Sequence, residues 1–182
     1  AHERRLRHYK VRVHVNGIRG KSTVTRLIAG VLREAGYRAL AKTTGSAAVT
    51  IDFDGEDVPI NRRGAVNVKE QQDIIAGWEP LHAEAMVIEC MALQPKYQQW
   101  AEQMVIRSHI GVITNVREDH QDVMGETLPE IAASMAHMCP SNGYLITAEY
   151  VPELQAVLQR EAERRGSKLI VADPTRVRDD EL

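Results

Sequence analysis

Residues 11–23 are Val11-Arg-Val-His-Val-Asn-Gly-Ile-Arg-Gly-Lys-Ser-Thr23, an apolar strand that runs into a glycine-rich loop and then into a helical pattern. Gly17 and Gly20 allow backbone N–H groups to close around phosphate oxygens, and the helix N-terminus adds positive potential. Lys21 can reach β- and γ-phosphate oxygens, and Ser22 can ligate Mg²⁺. The stretch therefore predicts a phosphate loop for ATP or GTP.

The loop departs from the usual phosphate-loop pattern at one position. That pattern begins with a glycine five residues before the second one, and Val15 stands there. The alternative interpretation is a pair of loop glycines beside a surface lysine. The apolar strand before the loop and the helical pattern over residues 23–35 favour the phosphate loop.

The bulk properties limit the class of protein. A chain of 182 residues is about one domain long. Its net charge of −2, with one Phe, two Trp and five Tyr, gives no nucleic-acid signature, so we expect no nucleic-acid partner. Cys90 and Cys139 form neither a metal-binding spacing nor a disulfide framework, which fits a reducing cytoplasm. No apolar stretch of the sequence approaches the ~18 residues of a membrane span.

Apolar runs of strand length alternate with helical patterns along the chain. The predicted strands are residues 11–15, 38–41, 85–88, 109–114, 144–147 and 168–172. The predicted helices are residues 22–34, 68–78, 95–106, 128–138 and 152–164. Continuously apolar strands favour a mostly parallel sheet, so we expect a three-layer α/β fold like that of P-loop NTPases. Helices would cover both faces, and the active loops would lie at the carboxyl ends of the strands.

Two segments stand outside this alternation. Asp54-Gly55 between short β-prone pieces predicts a small hairpin insertion near residues 46–62. Residues 1–10 are basic, and we interpret them as a frayed, solvated end; the alternative is the cytoplasmic flank of a membrane anchor. Residues 11–182 form the predicted ATP-binding domain, and we expect the chain to be a fragment of a longer protein.

Two further motifs place polar groups at strand ends. The run Ala85-Met-Val-Ile-Glu-Cys90 contains Glu89, which in a phosphate-loop fold lies beside Mg²⁺ or the attacking group. The run over residues 110–122 opens into a loop with His120 between Asp119 and Asp122. An imidazole in this position can bind a metal directly or hold another metal ligand in place. The alternatives are an exposed acid at a strand end and a structural histidine.

The order and spacing of these motifs resemble a known family. Gly17-x-x-Gly-Lys-Ser22, Glu89 and Thr114-Asn-x-x-x-Asp-His-x-Asp122 are similar to the ATP-binding central domain of Mur ligases and folylpolyglutamate synthases. More narrowly, residues 16–26, 42–45, 89–92 and 118–125 resemble the Mur-ligase-like subunit of bacterial poly-γ-glutamate (capsule) synthases. The resemblance covers most of the chain.

The resemblance implies an ATP-dependent, ADP-forming amide ligase. Such an enzyme activates a γ-carboxylate as an acyl phosphate, which the amine of glutamate then attacks. The resemblance implies ATP and Mg²⁺ as cofactors, with Lys21, Glu89 and His120 as catalytic residues and Ser22, Glu89 and His120 around the metal. The nucleotide-binding residues that it implies are Asn16, Gly17, Arg19, Gly20, Lys21, Ser22, Thr23 and Asn115.

Substrate contacts and partners follow from the same resemblance. Lys42, Thr43 and Thr44 are predicted to bind a substrate carboxylate or phosphate, and the alternative is a polar strand exit. Arg62, Arg63 and Lys69 form a basic cluster suited to a polyanionic glutamyl chain, and the alternative is a solvated loop. The expected partners are glutamate or poly-γ-glutamate, membrane subunits of a capsule synthase, and further copies of the chain in a homo-oligomer. The expected location is the cytoplasm, at the inner face of the bacterial cell membrane.

The sequence departs from the family pattern in two respects. Many of these ligases carry a carbamylated lysine in the helix after the histidine loop, and the matching stretch has Met135 and no lysine. They also have a C-terminal domain that closes over ATP. We therefore expect either a longer natural chain or a partner that completes the site.

Three other functions are compatible with parts of the sequence. A GTP-dependent switch also carries a phosphate loop, but Asn115-Val-Arg-Glu and Glu89-Cys-Met-Ala stand where its Asn-Lys-x-Asp and Asp-x-x-Gly motifs belong. An ATPase module that energises or regulates a membrane-bound synthase or export partner fits the phosphate loop. Another ligase of the Mur or folylpolyglutamate type fits as well.

Overall fold

The apolar run before the glycine loop forms an interior strand of one sheet. The computed structural model describes residues 2–44, 48–60 and 69–173 of the chain. Its strands are β1 (Val11–Asn16), β2 (Ala39–Lys42), β3 (Val49–Ile51), β4 (Asp57–Pro59), β5 (Ala85–Glu89), β6 (Ile110–Ile113), β7 (Tyr144–Thr147) and β8 (Lys168–Val171). They lie in the order β4-β3-β2-β5-β1-β6-β7-β8. From β2 to β8 in this order all pairs are parallel, so the carboxyl ends of six strands share one edge of the sheet.

Helices cover both faces of the sheet. They are α1 (His2–Leu6), α2 (Lys21–Glu34), α3 (Lys69–Trp78), α4 (Pro95–Trp100), α5 (Gln121–Met124), α6 (Leu128–Ala136) and α7 (Pro152–Arg164), with a 3₁₀ turn at Glu79–Leu81. No helix within the described residues is both long enough and apolar enough to cross a membrane.

Alternate residues of β5 show how the layers are held together. Val87 packs in a cluster with apolar residues of α2, whereas Met86 and Ile88 pack with residues of α1 and α3 on the opposite face. A third cluster joins β6 and β7 to α6 and α7. The predicted three-layer α/β fold with a mostly parallel sheet is confirmed.

The predicted hairpin is also confirmed, and it widens the sheet. β3 pairs antiparallel with β2, and β4 pairs antiparallel with β3. Asp52 shapes the turn, because its Oδ1 accepts hydrogen bonds from the N–H groups of Asp54 and Glu56 at 3.0 and 2.9 Å. Arg26 of α2 donates two hydrogen bonds to the carboxylate of Asp57 in β4. The hairpin is therefore an extension of the main sheet, fastened to the helix that follows the glycine loop.

The basic N-terminal segment packs on the fold, so the prediction of a frayed end is wrong. Leu6 and Tyr9 are 3% and 5% exposed and lie in the same cluster as Trp78. Arg12 ties the segment down, because its guanidinium donates to the backbone carbonyls of Leu6, Tyr9 and Arg107. The charges of this segment dominate its sequence, but its two buried apolar side chains decide its structure.

The predicted helix over residues 95–106 changes its winding halfway. Pro95 begins α4, and the chain continues as a π-helix over Ala101–Ile106. The N–H of Arg107 donates to the carbonyl of Glu102 at 2.6 Å, five residues back. Such wide turns are rare and often occur at functional positions. Here Glu102 lies in the wide turn, and its carboxylate contacts His14 of β1.

Candidate nucleotide site

The glycine loop between β1 and α2 has a backbone conformation that residues other than glycine can adopt only with strain. Gly17 and Gly20 have φ values of 136° and 80°, in the left-handed region that favours glycine. A side chain at Gly17 would overlap the hydroxyl of Thr114, so the loop packs closely on the end of β6. Both glycines are therefore required for this loop conformation.

The start of α2 is suited to an anion. Gly20 caps the helix without a side-chain hydrogen bond, and the first turn of α2 contains no acidic residue. The N–H groups of that turn can therefore point at phosphate oxygens. Lys21 Nζ donates to the carbonyl of Gly17 at 2.8 Å, which places the ammonium group against the loop. Thr23 is exposed on the same turn.

Glu89 joins three elements that meet at this edge of the sheet. Its side chain is 2% exposed, at the end of β5. The Ser22 hydroxyl donates to Oε2 at 2.8 Å. Thr44, which follows β2, donates its N–H to Oε2 at 2.9 Å and its hydroxyl to Oε1 at 2.7 Å. The structure thus brings the phosphate loop, the exit of β2 and the predicted acid together at one carboxylate.

The oxygen atoms of this contact suit magnesium. Mg²⁺ prefers oxygen ligands and usually keeps waters and substrate phosphates, so it needs one or two carboxylates or hydroxyls from the protein. Ser22 and Glu89 supply such a pair. Among the described residues, no three His, Cys, Asp or Glu side chains are grouped as a metal site made by the protein alone. The donor set therefore fits a metal that is held jointly with a nucleotide.

The loop after β6 supports the glycine loop. Asn115 Oδ1 accepts from the N–H of Arg19 at 3.1 Å, and Asn115 Nδ2 donates to the carbonyl of Arg19 at 3.0 Å. The Thr114 hydroxyl donates to the same carbonyl at 2.7 Å. The Arg19 guanidinium lies 3.1 Å from Asp119 Oδ2. Asn115 therefore acts on the backbone of the predicted phosphate loop.

His120 follows Asp119, the residue that meets Arg19 of the glycine loop. It has a φ of 49° and precedes α5, and its side chain is 45% exposed. Its Nε2 lies 3.7 Å from Asp119 Oδ1, whereas the described hydrogen bonds and ion pairs of His120 include neither Ser22 nor Glu89. Of the three predicted metal-binding residues, Ser22 and Glu89 are therefore in contact with each other. The role of His120 as the third stays a prediction.

The exit of β2 is more enclosed than its polar sequence suggests. Lys42 is fully buried, and its Nζ lies 3.2 Å from Glu70 Oε1 at the start of α3. Thr43 is 2% exposed and donates its N–H to β3. The structure places both side chains inside the fold. Of the three predicted substrate residues, Thr44 is the one that contacts Glu89.

Two further predictions concern residues away from the glycine loop. Arg62 and Arg63 lie outside the described residues. Met135, which the resemblance matches to a modified lysine, is fully buried in the cluster between the sheet and α6. Burying such a side chain contributes about 1.5–3 kcal/mol to stability. Met135 therefore serves the packing of the core.

Three buried polar residues near this edge of the sheet belong to none of the sequence motifs. Gln71 Nε2 donates to the carbonyl of Glu89 at 3.1 Å. Gln98 contacts the side chain of Asn16, and Glu149 accepts from the N–H of Val116 at 3.0 Å. An isolated glutamine or glutamate in a sequence is typical of an exposed surface, so the fold alone reveals these contacts.

These parts define a class of protein. A glycine loop, closed by a lysine, follows a parallel strand. The next helix has a serine in its first turn that contacts a buried acid on the neighbouring strand. This arrangement is typical of a phosphate-loop α/β domain. The Mur ligase middle domain family matches residues 15–172 of the chain. The chain belongs to that family.

Two relatives match the chain along its whole length. The capsule biosynthesis protein CapB of Bacillus anthracis is 46% identical over 185 residues, which cover 100% of this chain and 39% of the relative. PGA synthase CapB of Bacillus subtilis (strain 168) is 42% identical over 183 residues, which cover 100% of this chain and 46% of the relative. The chain thus spans less than half the length of either relative.

The fold is shared with a solved structure, E. coli FolC in complex with ADP. The two superpose with a TM-score of 0.72 at 17% identity, over 93% of this chain and 44% of the FolC chain. At this level of identity, the likeness shows the fold alone.

Proposed function

We propose that this chain is the ATP-binding domain of an ADP-forming amide ligase that adds glutamate to poly-γ-glutamate. The contact of Ser22 with Glu89 at the start of α2 carries the proposal, because it joins a phosphate loop to a metal-binding acid. The relatives, named for capsule biosynthesis and PGA synthesis, support the same product. The ADP bound to FolC supports an adenine nucleotide as the ligand.

The proposed reaction has two steps. A γ-carboxylate oxygen attacks the γ-phosphorus of ATP, the bond to the bridging oxygen breaks, and ADP leaves with the bonding electrons. The amine of the next glutamate then attacks the acyl carbon, inorganic phosphate leaves, and the nitrogen loses a proton. Catalysis of phosphoryl transfer depends mainly on placement and on charge neutralisation.

The chain's own groups are suited to placing the phosphates and to neutralising their charge. Lys21 and the N–H groups at the start of α2 would bind the β- and γ-phosphate oxygens. Ser22 and Glu89 would hold Mg²⁺, which neutralises phosphate charge when it is bound. His120 would lie near the metal and the acceptor carboxylate. Thr44 keeps the Glu89 carboxylate oriented through two hydrogen bonds.

The proposal also includes the setting of the enzyme. The glutamyl chain would reach the site from the cytoplasm, at the inner face of the cell membrane. Membrane subunits of a capsule synthase and further copies of the chain would complete the assembly. The names of the two CapB relatives, which refer to capsule biosynthesis and PGA synthesis, support the product of this assembly.

The test is an assay of the whole natural polypeptide with its membrane partners. Oligo-γ-glutamate, ATP and Mg²⁺ are supplied, and ADP release is measured together with chain growth. We expect ADP release that depends on glutamate. Lys21→Ala should lower the rate by about 10²- to 10³-fold, because a charge on the transferring phosphate loses its partner. Lys168→Ala, on an exposed lysine of β8, is the matched control and should leave the rate unchanged.

Three outcomes would contradict the proposal. ADP release that is indifferent to glutamate indicates an ATPase module. A preference for GTP indicates a switch. Full activity of Lys21→Ala shows that the glycine loop is not the nucleotide site.

A further inference from the structure

Two buried amide side chains connect the glycine loop to the segment that follows Glu89. Asn16 Oδ1 accepts from the N–H of Gly17 at 2.8 Å, and Asn16 Nδ2 donates to Gln98 Oε1 at 2.8 Å. Gln98 Nε2 donates to the carbonyl of Leu93 at 2.8 Å. Asn16 and Gln98 are 2% and 0% exposed. We call this chain of three hydrogen bonds the amide relay.

The orientation of each amide is fixed by backbone groups at its two ends. The N–H of Gly17 can only donate, so it faces the oxygen of Asn16, and the carbonyl of Leu93 can only accept, so it faces the nitrogen of Gln98. In the hydrogen bond between the two side chains, Asn16 must therefore be the donor and Gln98 the acceptor. Burial makes the relay costly to break, since a buried amide that loses its partner cannot form a hydrogen bond with water instead.

The relay joins the glycine loop to the segment that follows Glu89 through contacts other than the Ser22–Glu89 hydrogen bond. Asn16 ends β1 and precedes Gly17, so its side chain shapes the first turn of the glycine loop. Leu93 belongs to the segment between β5, which ends at Glu89, and α4. Gln98, on α4, therefore holds the glycine loop and the segment after Glu89 at a fixed separation.

We propose that Gln98 is a positioning residue of the nucleotide site, and that it acts through Asn16 on the glycine loop. The inference rests on the proposed function, because it assigns Gln98 a part in binding Mg-ATP. Gln98 would not touch the nucleotide. It would keep the N–H groups of the loop in the arrangement that phosphate oxygens require.

The test measures the dissociation constant of Mg-ATP by calorimetry on the whole natural polypeptide and its variants. Gln98→Met keeps the length of the side chain and removes both hydrogen bonds. We expect it to raise the dissociation constant about tenfold, the equivalent of one net hydrogen bond. Gln99→Met is the matched control, on the next residue of α4, which is partly exposed. It should leave affinity within twofold of the wild-type chain.

A double-variant cycle separates positioning from general destabilisation. If Gln98 acts through Asn16, adding Gln98→Met to Asn16→Ala should weaken Mg-ATP binding no further than Asn16→Ala alone. Urea unfolding of each variant is recorded beside its affinity. A lower unfolding midpoint with unchanged Mg-ATP affinity would show a structural role alone and overturn the inference.

Gln98→Glu extends the test in case Gln98→Met does not fold. At about pH 5 this buried carboxyl group is protonated, so it still accepts from Asn16 and donates to the carbonyl of Leu93. Its affinity at that pH should stay within threefold of the wild-type chain. A tenfold loss in folded Gln98→Glu at that pH would overturn the inference. Failure of the wild-type chain itself to bind Mg-ATP would instead count against the proposed function.

Discussion

Glu89 and Glu102 are both 2% exposed, yet their surroundings differ in kind. Glu102 accepts from the N–H and hydroxyl of Ser108 at 2.7 and 3.0 Å, and its Oε2 lies 2.9 Å from His14 Nδ1. The partners of Glu102 therefore include a side chain that can carry a positive charge. The hydrogen bonds described for the Glu89 carboxylate come from neutral groups of Ser22 and Thr44.

The difference is the basis of our proposal that Glu102 is a structural carboxylate and Glu89 a functional one. A buried charge is costly unless an opposite charge and hydrogen bonds compensate it. The fold itself provides that compensation for Glu102, between β1 and the π-helix. For Glu89 the proposed cation arrives with the nucleotide. We therefore expect changes at Glu102 to appear in stability and changes at Glu89 to appear in activity.

The largest expected effect tests the structural half of this comparison. Glu102→Ala should lower the free energy of unfolding by about 3–5 kcal/mol, because it leaves His14 and Ser108 without their partner. Urea unfolding measures the change. The double variant His14→Met with Glu102→Met replaces the whole pair by apolar side chains of similar size. It should lose less than the sum of the two single changes.

An additive double variant would contradict this account. It would mean that His14 and Glu102 stabilise the fold independently, although 2.9 Å separates their polar atoms. Glu102 would then be no different in kind from Glu89, and the comparison would fail.

The second-largest expected effect tests the proposed functional role of Glu89 in this comparison. Glu89→Gln keeps the shape of the side chain but removes the charge that a metal requires, so ligase activity should fall by about 10²- to 10³-fold. The assay is glutamate-dependent ADP release in the whole natural polypeptide. The free energy of unfolding should change less than for Glu102→Ala. If Glu89→Gln unfolds the chain while the remaining folded protein stays active, Glu89 is a structural residue.

The sequence predicts the parts of the fold that depend on local patterns. The bounds of β7 and α7 agree with the predicted residues 144–147 and 152–164, because an apolar run and a proline at a helix start are local signals. Glu89 was predictable for the same reason, since it ends a buried strand after a phosphate loop. The contact of Glu89 with Thr44 and Ser22 follows once β2, β5 and β1 are neighbours.

The remaining features depend on contacts between distant residues. His14 meets Glu102 across 88 positions, and Asn16 meets Gln98 across 82. A glutamate or glutamine in a helical pattern normally indicates an exposed face, so these side chains give no sign of burial. The π-helix that places Glu102 also has no sequence signal of its own. The burial of Glu102 was therefore hidden from the sequence, whereas the position of Glu89 was visible.

The smallest expected effect concerns the charge on His14. Burial lowers the pKa of His14, but the hydrogen bonds and charges of Cys90 and Glu102 outweigh burial and raise that pKa to about 9. The unfolded chain has a histidine pKa near 6.5. The folded state therefore binds the proton more tightly. The resulting stabilisation is fully present below about pH 6.5 and is lost as the pH rises through about 9.

Urea unfolding between pH 6 and pH 9.5 measures this loss. The unfolding midpoint of the wild-type chain should fall across the range, while that of the double variant His14→Met with Glu102→Met should fall less. The effect should be smaller than that of Glu102→Ala, because a neutral His14 can still donate one hydrogen bond to Glu102. Parallel pH profiles for the two proteins would show that His14 carries no charge in the fold. In that case the described hydrogen bonds of Glu102 would come from neutral groups, like those of Glu89, and its structural role would need another explanation.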